Sequence, residues 1–465
     1  MIYQVLTALT PLATAPYIAR ALQPEGVGIF SFVNSVMSYF ILAANLGTVT
    51  YAQREISYVQ EDDAKRNEIF WNVLSLRFIT SLVTFAVYLF FSYFSEFRTL
   101  FFILSINIIS IIFDISWLYQ GMENFDTIMR KNIIFRLLTI FAIFMFVHHE
   151  EDLPLYCFIL GLGTLLTNLS QWSQLPTLIR KPSWSSIHPF SDVNTVLSLF
   201  VPTIAIQIYT ILDKTMIGMF SGVGAENGYY EEAMKFARIT QMLVTSLSVV
   251  MIPRIGNYFS QRKYKEVQKY LYQSFQYIWA VSIPMCFGLI GISDNLIPWF
   301  LGENYGKVSA LLKILALLLI SIGINTVTGN EYLIPTNRQR LYTKTVLIGA
   351  IVNICFNALL IPNLLSVGAA VASVIAESTI AGCQLYLIKK ELSIGEMLKR
   401  STKYFISGSV MLLILRIENK YFFPSLLHTG IMILTGVAVY SVALLILKDT
   451  FVIENLKTGV KAMKK

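Results

Sequence analysis

The chain of 465 residues predicts an all-α, polytopic membrane protein, and three observations carry that prediction. Mean hydropathy is +0.61, and only 14% of residues are charged where a soluble domain carries about 25%. Apolar runs of the roughly 20 residues a helix needs to cross a bilayer recur from end to end, separated by short polar loops.

In chain order the expected spans are 2–20, 28–49, 70–93, 98–120, 131–148, 154–175, 196–220, 230–252, 273–293, 308–328, 341–361, 364–388, 402–418 and 425–447, about 14 transmembrane helices. The N-terminus has no basic region and no A-x-A site, so the first helix is expected to be its own insertion signal. Met1 carries no charged flank, which leaves room for a few residues upstream. Pro11 and Pro16 interrupt the first span, while Pro202, Pro284 and Pro362 bend or end later ones, because each removes a backbone donor and crowds the preceding turn.

Orientation follows from the 36 lysines and arginines. With the N-terminus inside, 25 of them fall in inner loops and the tail and six in outer loops, a bias that places both termini in the cytoplasm. The six are Arg20, Arg98, Lys235, Lys307, Arg416 and Lys420. The acidic outer loop from His148 to Asp152 and the basic inner loop from Arg262 to Lys265 agree. The net charge of +8 is therefore read as topology and not as nucleic-acid binding.

An internal repeat is visible. PEGVGIFSF contains Gly28 and is followed by a helix that ends near Arg54; AENGYYEEA contains Gly228 and is followed by a helix that ends near Arg254. This predicts two six-helix lobes in parallel repeat, 1–175 and 196–390, a cytoplasmic linker at 176–195, and two additional helices with a basic tail at 391–465. A substrate would lie in a cleft between the lobes, as in other transporters of this build.

The charges inside or at the ends of spans are the candidates for chemistry. Within LFVPTIAIQIYTILDKTMIGMFSG stand Asp213 and Lys214, which either line a solute pathway or snorkel to water. Arg20, Arg77, Arg136, Lys235, Arg238 and Lys313 join Lys214 against Asp114, Asp213, Glu231, Glu232 and Glu377, so the excess is basic and suits an anionic solute such as phosphate. Glu231, Glu232, Lys235 and Arg238 stand three and four apart, which also fits an internal ion-pair ladder. Cys157, Cys286, Cys355 and Cys383 lie in apolar segments without metal or disulfide spacing, the four histidines form no triad, and no phosphate-binding G-x-x-x-x-G-K-[ST] motif occurs. No catalytic group, metal or cofactor is expected.

TPLATAPYIARALQPEGVGIFSF, TYAQREI around Arg54, VPTIAIQIYTILDKTMIGMFSG, GYYEEAMKF and VVMIPRIGNYFS together resemble the bacterial polysaccharide flippases of the Wzx type, in the multidrug/oligosaccharidyl-lipid/polysaccharide exporter superfamily. The resemblance runs along nearly the whole chain. It implies a V-shaped, two-lobed transporter in the bacterial inner membrane that moves undecaprenyl-pyrophosphate-linked oligosaccharide to the outer leaflet for capsule, O-antigen or exopolysaccharide assembly, alongside glycosyltransferases and a polymerase. By this likeness Arg20, Arg54, Asp213, Lys214 and Arg254 occupy motif positions. With Arg238 from the span charges they form the expected substrate-binding set. The alternatives are an ion-coupled multidrug antiporter of the same superfamily, which would carry an acidic cavity, and a polytopic polymerase, which would carry a large catalytic outer loop.

Overall fold

The computed structural model describes residues 2–181 and 187–449. The expected basic tail beyond 449 and part of the linker, 182–186, lie outside the described residues, as do the side chains of Pro11 and Pro202. By internal contacts the chain divides into two units, Met1–Gly228 and Tyr229–Lys465. Each of the fourteen expected spans is occupied mainly by helix, with 98–120, 230–252 and 308–328 each divided among more than one segment, and ten helices among the described residues are long and apolar enough to cross a membrane.

The first unit begins with α1 (Ile2–Asn45), which is two membrane-length legs joined at a break. Its backbone leaves helical geometry at Gln23 (φ 54°), immediately before Pro24. A proline has no N–H and disfavours the helical conformation of the residue before it, so the break falls there, while Pro16 sits in continuous helix. The Gln23 side chain replaces the lost donor, giving its Nε2 to the Arg20 carbonyl at 2.7 Å.

Next come α2 (Thr48–Tyr58) and α3 (Asp63–Tyr93), whose N-terminus is capped by the Asp62 carboxylate accepting Lys65 N–H at 3.0 Å. The fourth span is segmented into α4 (Arg98–Leu104), α5 (Ile106–Phe113) and α6 (Ser116–Gly121). Asp114 is extended between the last two and accepts the Ser116 N–H at 3.0 Å. Then α7 (Phe125–Phe146) leads to a loop in which Asp152 accepts the His148 and His149 amides at 2.8 and 2.9 Å. After α8 (Leu153–Gln171), the linker is pinned to α3: Arg180 N–H donates to Asn67 at 2.8 Å, and Trp71 Nε1 donates to the Arg180 carbonyl at 3.0 Å. The unit closes with α9 (Val193–Ser221) and the first turn of α10 (Ala225–Thr245).

The second unit continues through α11 (Ser248–Ser260), the 38-residue α12 (Tyr264–Leu301), α13 (Gly306–Leu315) and α14 (Leu318–Asn325). Helix α14 runs into a π-helical stretch, Thr326–Leu333. There follow α15 (Gln339–Leu364) and α16 (Ser366–Ile388), separated by Leu365 at φ 55°, then α17 (Ile394–Tyr421) and α18 (Leu426–Ile446). Small residues let α15 and α16 pack closely: Gly368 faces the Leu360 backbone, and Ala369, Ala372 and Ala376 are fully buried. Large apolar side chains such as Phe90, Leu434 and Ile446 point outward, as a lipid-facing surface requires.

Gly28 and Gly228, the two glycines of the expected repeat, touch. A Cβ on Gly28 would lie 1.8 Å from the Gly224 carbonyl oxygen, and one on Gly228 would lie 2.1 Å from the Pro24 carbonyl oxygen. Each glycine thus meets the residue four positions before the other, a reciprocal crossing that only bare backbone permits. Gly28→Ala and Gly228→Ala are each expected to cost about 1–3 kcal/mol through overpacking, seen as a lower unfolding midpoint of the detergent-purified protein. Gly395→Ala, which meets open space, should leave that midpoint unchanged or slightly raised.

Candidate functional site

The turn of α9 that carries Asp213 and Lys214 is stitched to α1 through hydroxyls. Thr215 Oγ1 lies 3.1 Å from both Ser35 Oγ and Tyr39 OH, and a glycine at 218 admits the Phe32 ring. Asn227, fully buried, donates to the Lys214 carbonyl at 2.6 Å. Asp213 is buried, close enough to Tyr39 to act on its hydroxyl; Lys214 is half-buried, and both charged groups are engaged in polar interactions.

The other expected residues are spread along the helices. Arg54 pairs with its neighbour Glu55 at 2.7 Å, through Nη2 and, at 3.0 Å, Nε. Arg20 is exposed at the end of the first leg of α1. The second leg separates it from Arg54 by roughly 33 Å at 1.5 Å per residue, so these two do not share a pocket. In the second unit, Arg238 is exposed on α10, and Arg254 on α11 rests over the Tyr270 ring at 5.2 Å. Arg238 and Arg254 stand some four turns apart, roughly 24 Å along the helix axis.

A cavity of about 400 Å³ opens inside the first unit between α1, α5, α6, α7 and α8. Its wall is rich in amides, among them Asn45, Asn107, Asn168 and Gln171, with Asp114 as its carboxylate. Arg77, wholly buried behind it on α3, donates Nη2 to Asn45 Oδ1 at 2.9 Å and to Asp114 Oδ2 at 3.3 Å, and Nη1 to the Asp114 carbonyl at 3.0 Å. The guanidinium balances the carboxylate, which leaves amide oxygens as the dominant groups on offer. Asn107 and Asn168 spend their Nδ2 groups on the Leu104 and Ser110 carbonyls, and buried Gln171 Oε1 has no hydrogen-bond partner among the described residues. Such a wall accepts hydrogen bonds from water or from a polyhydroxyl solute. Arg77 and Asp114 stand out in the sequence, whereas the amides do not. Their signal is helical spacing: Thr164, Asn168 and Gln171 share one face of α8.

The second unit contains a polar seam along α14 and the π-helical stretch. Ser321 meets Ser378 at 2.9 Å, Asn325 Nδ2 donates to Glu377, Thr328 donates to Gln384, and Glu331 accepts the Ser248 hydroxyl at 2.6 Å. Positions 321, 325, 328 and 331 recur every three to four residues, and Glu331 is buried, a charge the span-by-span reading passes over. At the seam's end, Arg338 Nη1 donates to Glu391 at 2.7 Å and its guanidinium covers the Tyr332 ring at 4.5 Å, while the Tyr332 hydroxyl also donates to Glu391. Partial burial pushes the Glu391 carboxyl up, but the bonds from Arg338 and Tyr332 outweigh it and hold it below the ordinary glutamate range. Among the described residues there is no cluster of metal-ligating side chains.

With this geometry in place, a family model described as "Polysaccharide biosynthesis protein" matches residues 1–259, more than half of the chain. The chain belongs to the polysaccharide biosynthesis protein family. The MatE family model also matches over residues 199–359. A family relative from Escherichia coli (strain K12), described as "Putative O-antigen transporter", is 22% identical over 82% of this chain and 93% of its own length. The "Probable low-salt glycan biosynthesis flippase Agl15" of Haloferax volcanii is 26% identical over 53% of this chain and 51% of its own. Among solved structures, "Lipid II flippase MurJ, inward closed conformation" shares the fold, with a TM-score of 0.79 at 17% identity over 96% of this chain and 98% of that one.

The Arg77–Asp114 and Arg338–Glu391 pairs each lead to a prediction. Arg77→Met should destabilise the protein by about 3–5 kcal/mol because it strands Asp114, and adding Asp114→Asn should recover part of that loss in thermal unfolding. A fully additive double variant would show that the pair is uncoupled. The depressed Glu391 carboxyl stabilises the fold above the unfolded-state value of about 4.3, and that contribution fades as pH falls through the lower folded-state value. The gap in unfolding midpoint between wild type and Glu391→Gln should therefore be widest at neutral pH and close on acidification.

Proposed function

We propose that this chain is a flippase that carries undecaprenyl-pyrophosphate-linked oligosaccharide repeat units from the inner to the outer leaflet, by alternating access, for O-antigen, capsule or exopolysaccharide assembly. The observation that carries the reading is the family match over 1–259, a stretch that contains Arg20, Arg54, Asp213, Lys214, Arg238 and Arg254. The relatives described as an O-antigen transporter and a glycan biosynthesis flippase support it.

The physical case is direct. A sugar chain cannot shed its hydration to cross about 30 Å of hydrocarbon, whereas its polyprenyl tail can stay in lipid. The protein therefore has to offer a polar path only for the headgroup. In this reading the arginines and Lys214 meet the pyrophosphate successively along that path, and Asp213 holds the charge-bearing turn of α9 in register. Arg20 and Arg54 in the first unit, and Arg238 and Arg254 in the second, are each separated by several helical turns, which fits a path better than one pocket. The protein resides in the bacterial inner membrane with both termini cytoplasmic, works with glycosyltransferases and a polymerase, and acts as a transporter, not an enzyme. The reading calls for no cofactor.

A second reading, an ion-coupled antiporter, draws on the MatE match over 199–359 and on buried Glu331 and seam-lining Glu377. Purified protein in vesicles separates the readings. A fluorescent lipid-linked oligosaccharide is expected to change leaflet at unaltered length, and Arg54→Gln, Lys214→Gln and Arg254→Gln should each slow this at least tenfold while the protein still inserts. Wild-type rates in all three variants would overturn the assignment of these residues, and elongation of the sugar would point to a polymerase.

A further inference from the structure

Positive charge on the outer side of the proposed topology is scarce, yet two of its six carriers share one cavity. In the second unit a cavity of about 470 Å³ lies between α12, α13 and α17, lined by Asp294, Lys313, Arg416, Asn419 and Lys420, with Phe422 among its apolar neighbours. Lys313 Nζ bonds both Asp294 oxygens, at 2.6 and 2.7 Å, and the Ser309 hydroxyl donates to the same carboxylate. That carboxylate is already neutralised. Arg416 is near enough to sense Asp294 but lies beyond ion-pair distance, and neither Arg416 nor Lys420 has an ion pair among the described residues.

The cavity therefore carries two uncompensated positive charges, one helical turn apart on α17. Like charges four residues apart destabilise a helix. The helix dipole accounts for Lys420 in the last turn, but not for Arg416 a turn earlier. Asn419 adds an amide donor between them, and the planar fork of arginine matches phosphoryl oxygens.

We propose that this cavity binds a doubly charged phosphoryl group of the pyrophosphate class. The charge count selects among phosphates: the phosphodiester of an ordinary phospholipid has one negative charge, whereas a pyrophosphate ester has at least two. The group can arrive as free inorganic pyrophosphate or on a polyprenyl lipid. With the orientation proposed above, the cavity stands where a translocated headgroup emerges; that placement rests on the flippase reading, while the binding itself does not.

Calorimetric titration of the full-length protein in detergent with magnesium-free inorganic pyrophosphate tests the site, and nanodiscs containing polyprenyl pyrophosphate or phosphatidylglycerol distinguish the source. Wild type should bind inorganic pyrophosphate, Arg416→Gln/Lys420→Gln at least tenfold more weakly, and a control at the opposite end of the unit, Lys389→Gln/Lys390→Gln, like wild type. Polyprenyl pyrophosphate, but not phosphatidylglycerol, should show the same loss; loss confined to the inorganic anion assigns the cavity to a free ligand. Equal binding by all three proteins, or equal loss in both double variants, overturns the proposal. Because both mutated side chains are exposed, unchanged unfolding midpoints are expected, and leaflet-exchange rates measured in parallel keep this result separate from that of the flippase reading.

Discussion

Within hydrocarbon, a polar group has to find its partner inside the protein, and this constraint accounts for most of what the fold does. It explains why the chain is helical throughout its spans, and why the departures from helix come with side chains that replace the missing bonds. Gln23 serves the carbonyl exposed by Pro24, and Asp114 serves the amide exposed where the fourth span unwinds. The same requirement draws Arg77 onto Asp114 and Asn45 and draws the serines, threonines and amides of the second unit into a seam.

The two units meet this requirement in different ways. In the first, a guanidinium cancels a carboxylate, and the space beside the pair is lined by neutral amides, an environment that holds water or hydroxyls without trapping an ion. In the second, buried Glu331 and partly buried Glu377 lie among hydroxyls and amides along α14 and its π-helical continuation, a helical form that recurs at functional sites. A flippase benefits from both: an interior wall of neutral amides that does not compete for the headgroup, and carboxylates set among hydroxyl and amide donors.

Fold class and spans were legible because composition and run length alone determine which segments can cross a bilayer, and the boundary between α15 and α16 falls within a few residues of the expected one. The bend in α1 was less so. Three prolines occur in that stretch, and which one breaks the helix depends on whether a nearby side chain can take over the freed carbonyl, as Gln23 does at Pro24. Charges were visible individually, but not which of them meet. In a helix apolar on nearly every face, periodicity does not reveal which side is buried, so the Arg77 network, the amide wall and Glu331 appear only once neighbouring helices are in place. Arg54 shows the reverse case: it stands out in the sequence, yet its nearest charge is simply the adjacent Glu55.

The reciprocal contact of Gly28 with Gly224 and of Gly228 with Pro24 limits how this crossing can change. Neither helix can gain a side chain at this crossing unless the opposing backbone gives way, so positions 28 and 228 are constrained jointly and not one at a time.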